Sequence, residues 1–166
     1  AMDAGISTVF QELNIVNQLS VEGNLTLGRE KHRCGIIRHD GDDPVLRLMA
    51  EFAPDIPLNC PVSRLSFAEK QIVETVKAIG TEAQLIIMDE PTASLSERET
   101  ERIYSFVKQL RAKGITVIYI SHILDDIFTL GDDVTVLRDG NIIGTRRVCE
   151  TSRDELIRMM VGRTVH

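Results

Sequence analysis

No tryptophan occurs among the 166 residues, and aromatic side chains make up only 4% of them. A surface built on base stacking therefore has little to work with. Excess positive charge is missing too: 19 Lys and Arg stand against 25 Asp and Glu, a formal net charge of -6. That balance argues against a nucleic-acid partner, because no surplus of cations is available to neutralise phosphates. The three cysteines, Cys34, Cys60 and Cys149, are odd in number and far apart. They fit neither a disulfide framework nor a zinc spacing, and a reducing cytosol is the expected setting. No apolar run approaches the roughly 18 to 20 residues that span a bilayer, and no signal-peptide pattern is seen. Internal repeats and low-complexity segments are absent as well. Ala1 ahead of Met2 reads as the remnant of a cleaved tag. Finally, no glycine in the chain is followed by lysine, so G-x-x-x-x-G-K-[ST], the loop that cradles nucleotide phosphates, occurs nowhere.

What remains is ordinary for a folded domain, with a 43% hydrophobic and a 27% charged fraction. The length suits one domain or most of one. Ile6 to Phe10 is a short β-branched run that predicts a strand. Ser20 predicts the cap of a helix reaching Leu27, with Gly28 beyond its end. From Lys31 to Asp43 the sequence is polar and irregular. Val45, Leu48, Met49 and Phe52 have helical spacing, and Pro54, Pro57 and Pro61 mark an extended loop. Ile72, Val73, Val76 and Ile79 line one face of a helix over 66–79. Leu85-Ile86-Ile87-Met88 and Val117-Ile118-Tyr119-Ile120 are continuous apolar runs, the pattern of buried parallel strands. Between them Ser96 and Glu99 form a capping box ahead of a helix lined by Ile103, Phe106, Val107 and Leu110. Two strands flank the turn Asp139-Gly140, and Ser152 with Glu155 opens a last helix running to about Val161. The expected class is α/β.

The residues with chemistry cluster in the second half. The strand at 85–88 delivers Asp89 and Glu90 to its carboxyl end, where ligands bind in open α/β sheets. Phosphoryl transfer calls for such a pair, with Asp89 suited to organise magnesium and Glu90 to position or polarise an attacking water. Taken alone, Asp-Glu-Pro also reads as the end of a strand and the start of a turn. His122 directly follows the next apolar strand, which as a parallel neighbour would bring it to the same end. Leu65-Ser66-Phe67-Ala68-Glu69-Lys70-Gln71 opens a helix, and a helix start offers unpaired N–H groups to an anion. On local grounds, however, an ordinary capping box of Ser66 and Glu69 explains Glu69 better.

In combination and order these segments resemble an ABC ATPase. Gln11, in Val9-Phe10-Gln11-Glu12-Leu13-Asn14, resembles the Q-loop, and Leu65 to Gln71 the signature segment. Leu85 to Glu90 is similar to Walker B, Ala93-Ser94-Leu95-Ser96 to the D-loop, and His122 to the switch histidine. Asp89-Glu90-Pro91-Thr92, Tyr119-Ile120-Ser121-His122, Leu137-Arg138-Asp139-Gly140 and Met160-Val161-Gly162-Arg163 resemble the tandem ATPases of ribose, galactose and xylose importers. The resemblance implies a partial P-loop NTPase fold over 2–166, with a mainly parallel sheet. It implies a helical and signature subdomain over about 20–80, a sheet core over 81–150 and a terminal helix over 151–166. It also implies ATP and Mg2+ as cofactors in a bacterial sugar importer. In that scheme Glu90 is the catalytic carboxylate and His122 contacts the γ-phosphate. Gln11 and Asp89 serve the metal. Gln11, Ser66, Phe67, Ala68 and Glu69 serve nucleotide binding, the signature residues reaching ATP held by a second nucleotide-binding domain. The implied partners are that second domain and membrane permease subunits, with the protein cytoplasmic and peripheral at the inner face of the membrane.

Three departures from the family pattern carry expectations. The Walker A loop would lie upstream of Gln11, so the chain is expected to be an incomplete domain, inactive alone. Its missing strand would leave two apolar edges facing a gap, and rearrangement, element swapping or dimerisation is expected. Ala68 and Glu69 stand where the family usually has glycine and glutamine, adding a methyl and a negative charge near an anion. A non-enzymatic module that binds the permease or the partner ATPase is the alternative. A DNA-repair or translation ATPase lacks support in the charge balance, and a phosphatase or receiver domain leaves Gln11, the 65–71 segment and His122 unexplained.

Overall fold

The computed structural model describes residues 5–9, 14–28, 31–33, 36–38, 43–80 and 83–162. They fall into two compact units, Ala1–Ile120 and Ser121–His166.

The first unit holds a three-stranded parallel sheet in the order β1-β4-β5, from β1 (Ile6–Val9), β4 (Leu85–Asp89) and β5 (Thr116–Ile120). Ile6 pairs with Leu85, and Leu85 with Thr116, so the three strands run in step. The helix α4 (Glu97–Ala112) makes the crossover between β4 and β5 that the two apolar runs predict. Its face of Ile103, Phe106, Val107 and Leu110 is buried as the spacing requires.

Between β1 and β4 the chain builds α1 (Val21–Thr26), α2 (Pro44–Phe52) and α3 (Phe67–Ile79). Each starts where its sequence dictates. Ser20 Oγ accepts from Gly23 N–H at 3.0 Å, and Asp43 Oδ1 accepts from Val45 N–H at 3.0 Å, with Pro44 in the first turn. Gly28, just past α1, has φ +79°, which an L side chain rarely adopts. Asn24 is fully buried yet satisfied: its Oδ1 accepts from Val16 N–H, and its Nδ2 donates to the carbonyls of Val16 and Ser20. Val21, Leu25, Val45, Met49, Val73 and Val76 are all 0% exposed and form the core of this helical layer. Phe52 and Phe106 meet edge to face at 5.5 Å, joining α2 to α4.

Two readings of the sequence are corrected here. The polar stretch after Lys31 contains a short antiparallel pair, β2 (Lys31–Arg33) and β3 (Ile36–Arg38). Strands of three residues are too short to show a period. The apolar run at 117–120 is not buried on both sides: β5 is the sheet's edge among the described residues, and Ile118 and Ile120 are each 46% exposed. A continuous apolar run and a half-covered strand look alike in sequence when the open face also carries isoleucine.

The second unit comprises α5 (Leu124–Leu130), the antiparallel pair β6 (Asp133–Arg138) and β7 (Asn141–Arg147), and α6 (Arg153–Val161). The α5 helix was not assigned from sequence. Val134, Val136, Val148 and Leu156 form its core, with Leu124, Ile127, Phe128 and Met159 packed against them. The hairpin turns on Asp139 and Gly140, both at positive φ, 51° and 75°, the conformation that a tight two-residue connection needs. Arg138 Nη1 donates to the carbonyl of Met159 at 2.9 Å, satisfying the last turn of α6.

Candidate active site

The chain leaves β4 with Asp89 and Glu90, both half-buried. Because β1, β4 and β5 are parallel and in register, all three carboxyl ends lie on one side of the sheet, with Asp89 opposite Ile120. Glu90 has φ 46°, an uncommon state for a residue with a side chain. Its N–H donates to the carbonyl of Ile120 at 2.9 Å, which holds the turn after the strand. Strain of this kind, about 1–3 kcal/mol, persists only where surrounding contacts enforce it, and it concentrates at functional positions. Thr92 is 4% exposed, and Tyr119 Oη donates to its Oγ1 at 3.4 Å, tying the next turn to β5. Ala93 and Ser94 are exposed beyond it, and the Ser96–Glu99 box then opens α4, with Glu99 Oε2 accepting from Ser96 N–H at 3.1 Å.

A second cluster surrounds the start of α3. Ser66 Oγ accepts from Glu69 N–H at 3.3 Å, and Glu69 Oε2 accepts from Ser66 N–H at 2.8 Å, the reciprocal box that the sequence suggests. The box engages the N–H groups of Ser66 and Glu69 and leaves those of Phe67 and Ala68 as the donors of the turn. Ala68 is 0% exposed as a whole residue, so its methyl lies in the interior and its amide is covered with it, which leaves the half-buried Phe67 as the accessible amide of the turn. A cavity of about 730 Å³ opens beside this turn, and neither Asp89 nor Glu90 lines it. Of the candidate residues, then, Asp89 and Glu90 form one group and Ser66 to Glu69 another.

His122 lies in the second unit, two residues past the end of β5, and is exposed. Its turn is fixed on both sides: Ser121 Oγ donates to Asp126 Oδ2 at 2.6 Å and accepts from Ile123 N–H at 2.9 Å. Asp126 is 1% exposed, a buried carboxylate that sequence reasoning passed over. Its position one turn beyond Ser121 was the available signal. Gln11 lies outside the described residues.

Asn14, three positions beyond Gln11, donates its N–H to Glu74 Oε1 at 3.1 Å. Glu74 sits on the inner face of α3, 7% exposed, and its Oε2 has no partner among the described residues; nor has Oε1 of the neighbouring Gln71. Burial pushes the Glu74 carboxyl above the ordinary carboxylate range, against the opposing pull of Asn14 and Lys77. A raised folded-state value means that the stability contributed by the neutral form is present at acid pH and lost as pH climbs through that value. Glu74→Gln keeps an acceptor for Asn14 and removes the charge. It is expected to raise the unfolding midpoint near pH 7 by about 2–4 °C and to change little below the ordinary carboxylate range. Thermal melts across that pH span check this, and an equal gain at both ends would contradict it.

Comparison with known proteins decides the family. The model described as "ABC transporter" matches residues 1–93, more than half of the chain. The chain belongs to the ABC transporter family. Among its relatives, the galactofuranose transporter ATP-binding protein YtfR of Escherichia coli K12 is 40% identical over 164 residues, covering 98% of this chain and 33% of that protein. The ribose import ATP-binding protein RbsA 1 of Rubrobacter xylanophilus is 43% identical over 162 residues, covering 97% and 32%. The chain thus spans about a third of the length of these ABC relatives. Solved structures agree on the α/β ATP-binding cassette fold. The ADP conformation of an ATP-binding cassette of an ABC transporter superposes with a TM-score of 0.79 at 23% identity, covering 98% of this chain and 70% of that one. A nucleotide-free cassette gives 0.75 at 24%, covering 98% and 67%.

Proposed function

We propose that this chain is part of the nucleotide-binding domain of a sugar importer, and that it serves ATP hydrolysis together with a second such domain and membrane permease subunits. The observation that carries the reading is the Asp89–Glu90 pair at the carboxyl end of β4, held beside the edge strand by the Glu90–Ile120 hydrogen bond. The importer and its sugar class follow from the relatives' names, ribose import and galactofuranose transport. No described helix is long and apolar enough to cross a membrane, and the proposed place is the cytoplasmic face, against the permease.

Asp89 is a hard oxygen donor, half-buried at a strand end, and suits Mg2+, which takes one or two carboxylates and keeps its waters. When bound, the metal would offset phosphate charge. The chain's own contributions are separate from it. Glu90 would orient the attacking water and take its proton. The Phe67 amide, with Ser66, would donate to phosphate oxygens of ATP carried by the opposite domain, while Ala68, 0% exposed, would back that turn from the interior. This division matches the separation of the two clusters, since each would serve a different nucleotide. Gln11 is proposed to serve the metal, and His122 the γ-phosphate.

Calorimetry with Mg-ATP tests this reading, on the 166-residue chain beside a version extended upstream by its native preceding residues. Binding is expected only in the extended protein. Tight binding by the short form would require some other loop to hold the phosphates, and the assignment of roles would fall.

A further inference from the structure

Glu69 is the awkward member of the phosphate-facing turn, because a carboxylate repels the anion that the turn would receive. Its two oxygens are both in use. Oε2 accepts from Ser66 N–H at 2.8 Å, and Oε1 accepts from Arg102 Nη1 at 3.1 Å. Arg102 reaches across from α4, and its other terminal nitrogen meets Asp55 Oδ2, in the loop after α2, at 2.8 Å. One guanidinium thus ties three separate parts of the chain together. A planar fork can grip two carboxylates at once in a way that a lysine ammonium cannot.

The surroundings make the charge matter. The adjoining cavity is lined by the carboxylates of Asp55, Glu69, Glu99 and Glu101 and by the guanidiniums of Arg98 and Arg102. Acid therefore outweighs base beside a helix start that is otherwise favourable to anions.

We propose that Arg102 is a positioning residue for the first turn of α3, holding Glu69 in its capping box and cancelling its charge beside the Phe67 amide. The proposal rests on the reading of that turn as a phosphate contact. It differs from a simple tether between α4 and α3 in one respect. A tether is lost equally whether or not residue 69 carries a charge, whereas charge cancellation matters only while the carboxylate is there.

The test is a cycle of Arg102→Met, Glu69→Gln and the double variant, made in the protein as its gene encodes it, with ATP turnover followed against Mg-ATP concentration. With Glu69 present, Arg102→Met is expected to raise KM about five- to tenfold, the scale of one favourable charge at a helix end, with a smaller change in kcat. In the Glu69→Gln background the same substitution is expected to raise KM less than about twofold. Equal losses in both backgrounds would overturn the proposal. If the parent protein turns over no ATP, the phosphate reading fails by itself. Thermal unfolding of the same variants then decides whether Arg102 holds Glu69: coupled losses support it, and independent, additive ones overturn it.

Discussion

In the upstream-extended protein, Glu90→Gln is expected to lower ATP turnover by about 10²- to 10⁴-fold while leaving the binding of Mg-ATP within a few-fold of the parent. The substitution is nearly isosteric. It keeps the side-chain length and the backbone N–H that donates to Ile120, and removes only the ability to take a proton. Asp89→Asn makes the contrast. If Asp89 organises the metal, its loss should show as a higher magnesium requirement rather than as a loss of turnover at saturating metal. Steady-state hydrolysis with nucleotide and magnesium varied separately distinguishes the two. Turnover by Glu90→Gln within tenfold of the parent would remove Glu90 from the role of base and leave its left-handed backbone without a catalytic explanation.

The largest loss of stability is expected at Phe106. It is 2% exposed on the inner face of α4, with its ring 5.5 Å from that of Phe52 and nearly perpendicular to it. Truncation to alanine removes the transfer free energy of the ring and leaves a cavity between α2 and α4. The cost is about 3–5 kcal/mol, a large part of the roughly 5–15 kcal/mol that holds a typical domain together. Denaturant titration of Phe106→Ala should show the midpoint shifted with an unchanged slope. Phe106→Leu should recover more than half of the loss, because most of the volume returns. A cost below about 1 kcal/mol for the alanine variant would mean that the helices close over the gap and that the aromatic pair is not central to this layer.

The parts legible in the sequence were those in which one local signal suffices. Ser66 with Glu69 and Ser96 with Glu99 announce their helices by chemistry confined to four residues. The crossover from β4 through α4 to β5 could be read because two apolar runs bracket one amphipathic stretch. Asp89 and Glu90 were legible for the same reason: a strand followed by two carboxylates is a contiguous pattern. What stayed hidden depends on distance along the chain. Arg102 looks like any solvated arginine of a helix until α3 brings Glu69 to it and the loop brings Asp55. Glu74 reads as a polar position of an amphipathic helix, yet it is buried and takes a hydrogen bond from the distant backbone of Asn14. The half-open state of β5 could not be foreseen either, since Ile118 and Ile120 carry no mark of exposure.

The pairing of β1 with β4 also sets a timetable. Ile6 finds Leu85 only after α1, α2 and α3 have been made, because all three lie between the partner strands. At an elongation rate of about 5–20 residues per second, β1 waits on the ribosome for several seconds before β4 can reach it. The helices can form by local contacts in that interval, but the sheet cannot. Closing so long a loop slows pairing of the sheet relative to the helices and extends the time in which a β-branched segment can pair with a neighbouring nascent chain. Yield of soluble protein should therefore depend more on the rate of synthesis than the modest size of the domain would suggest.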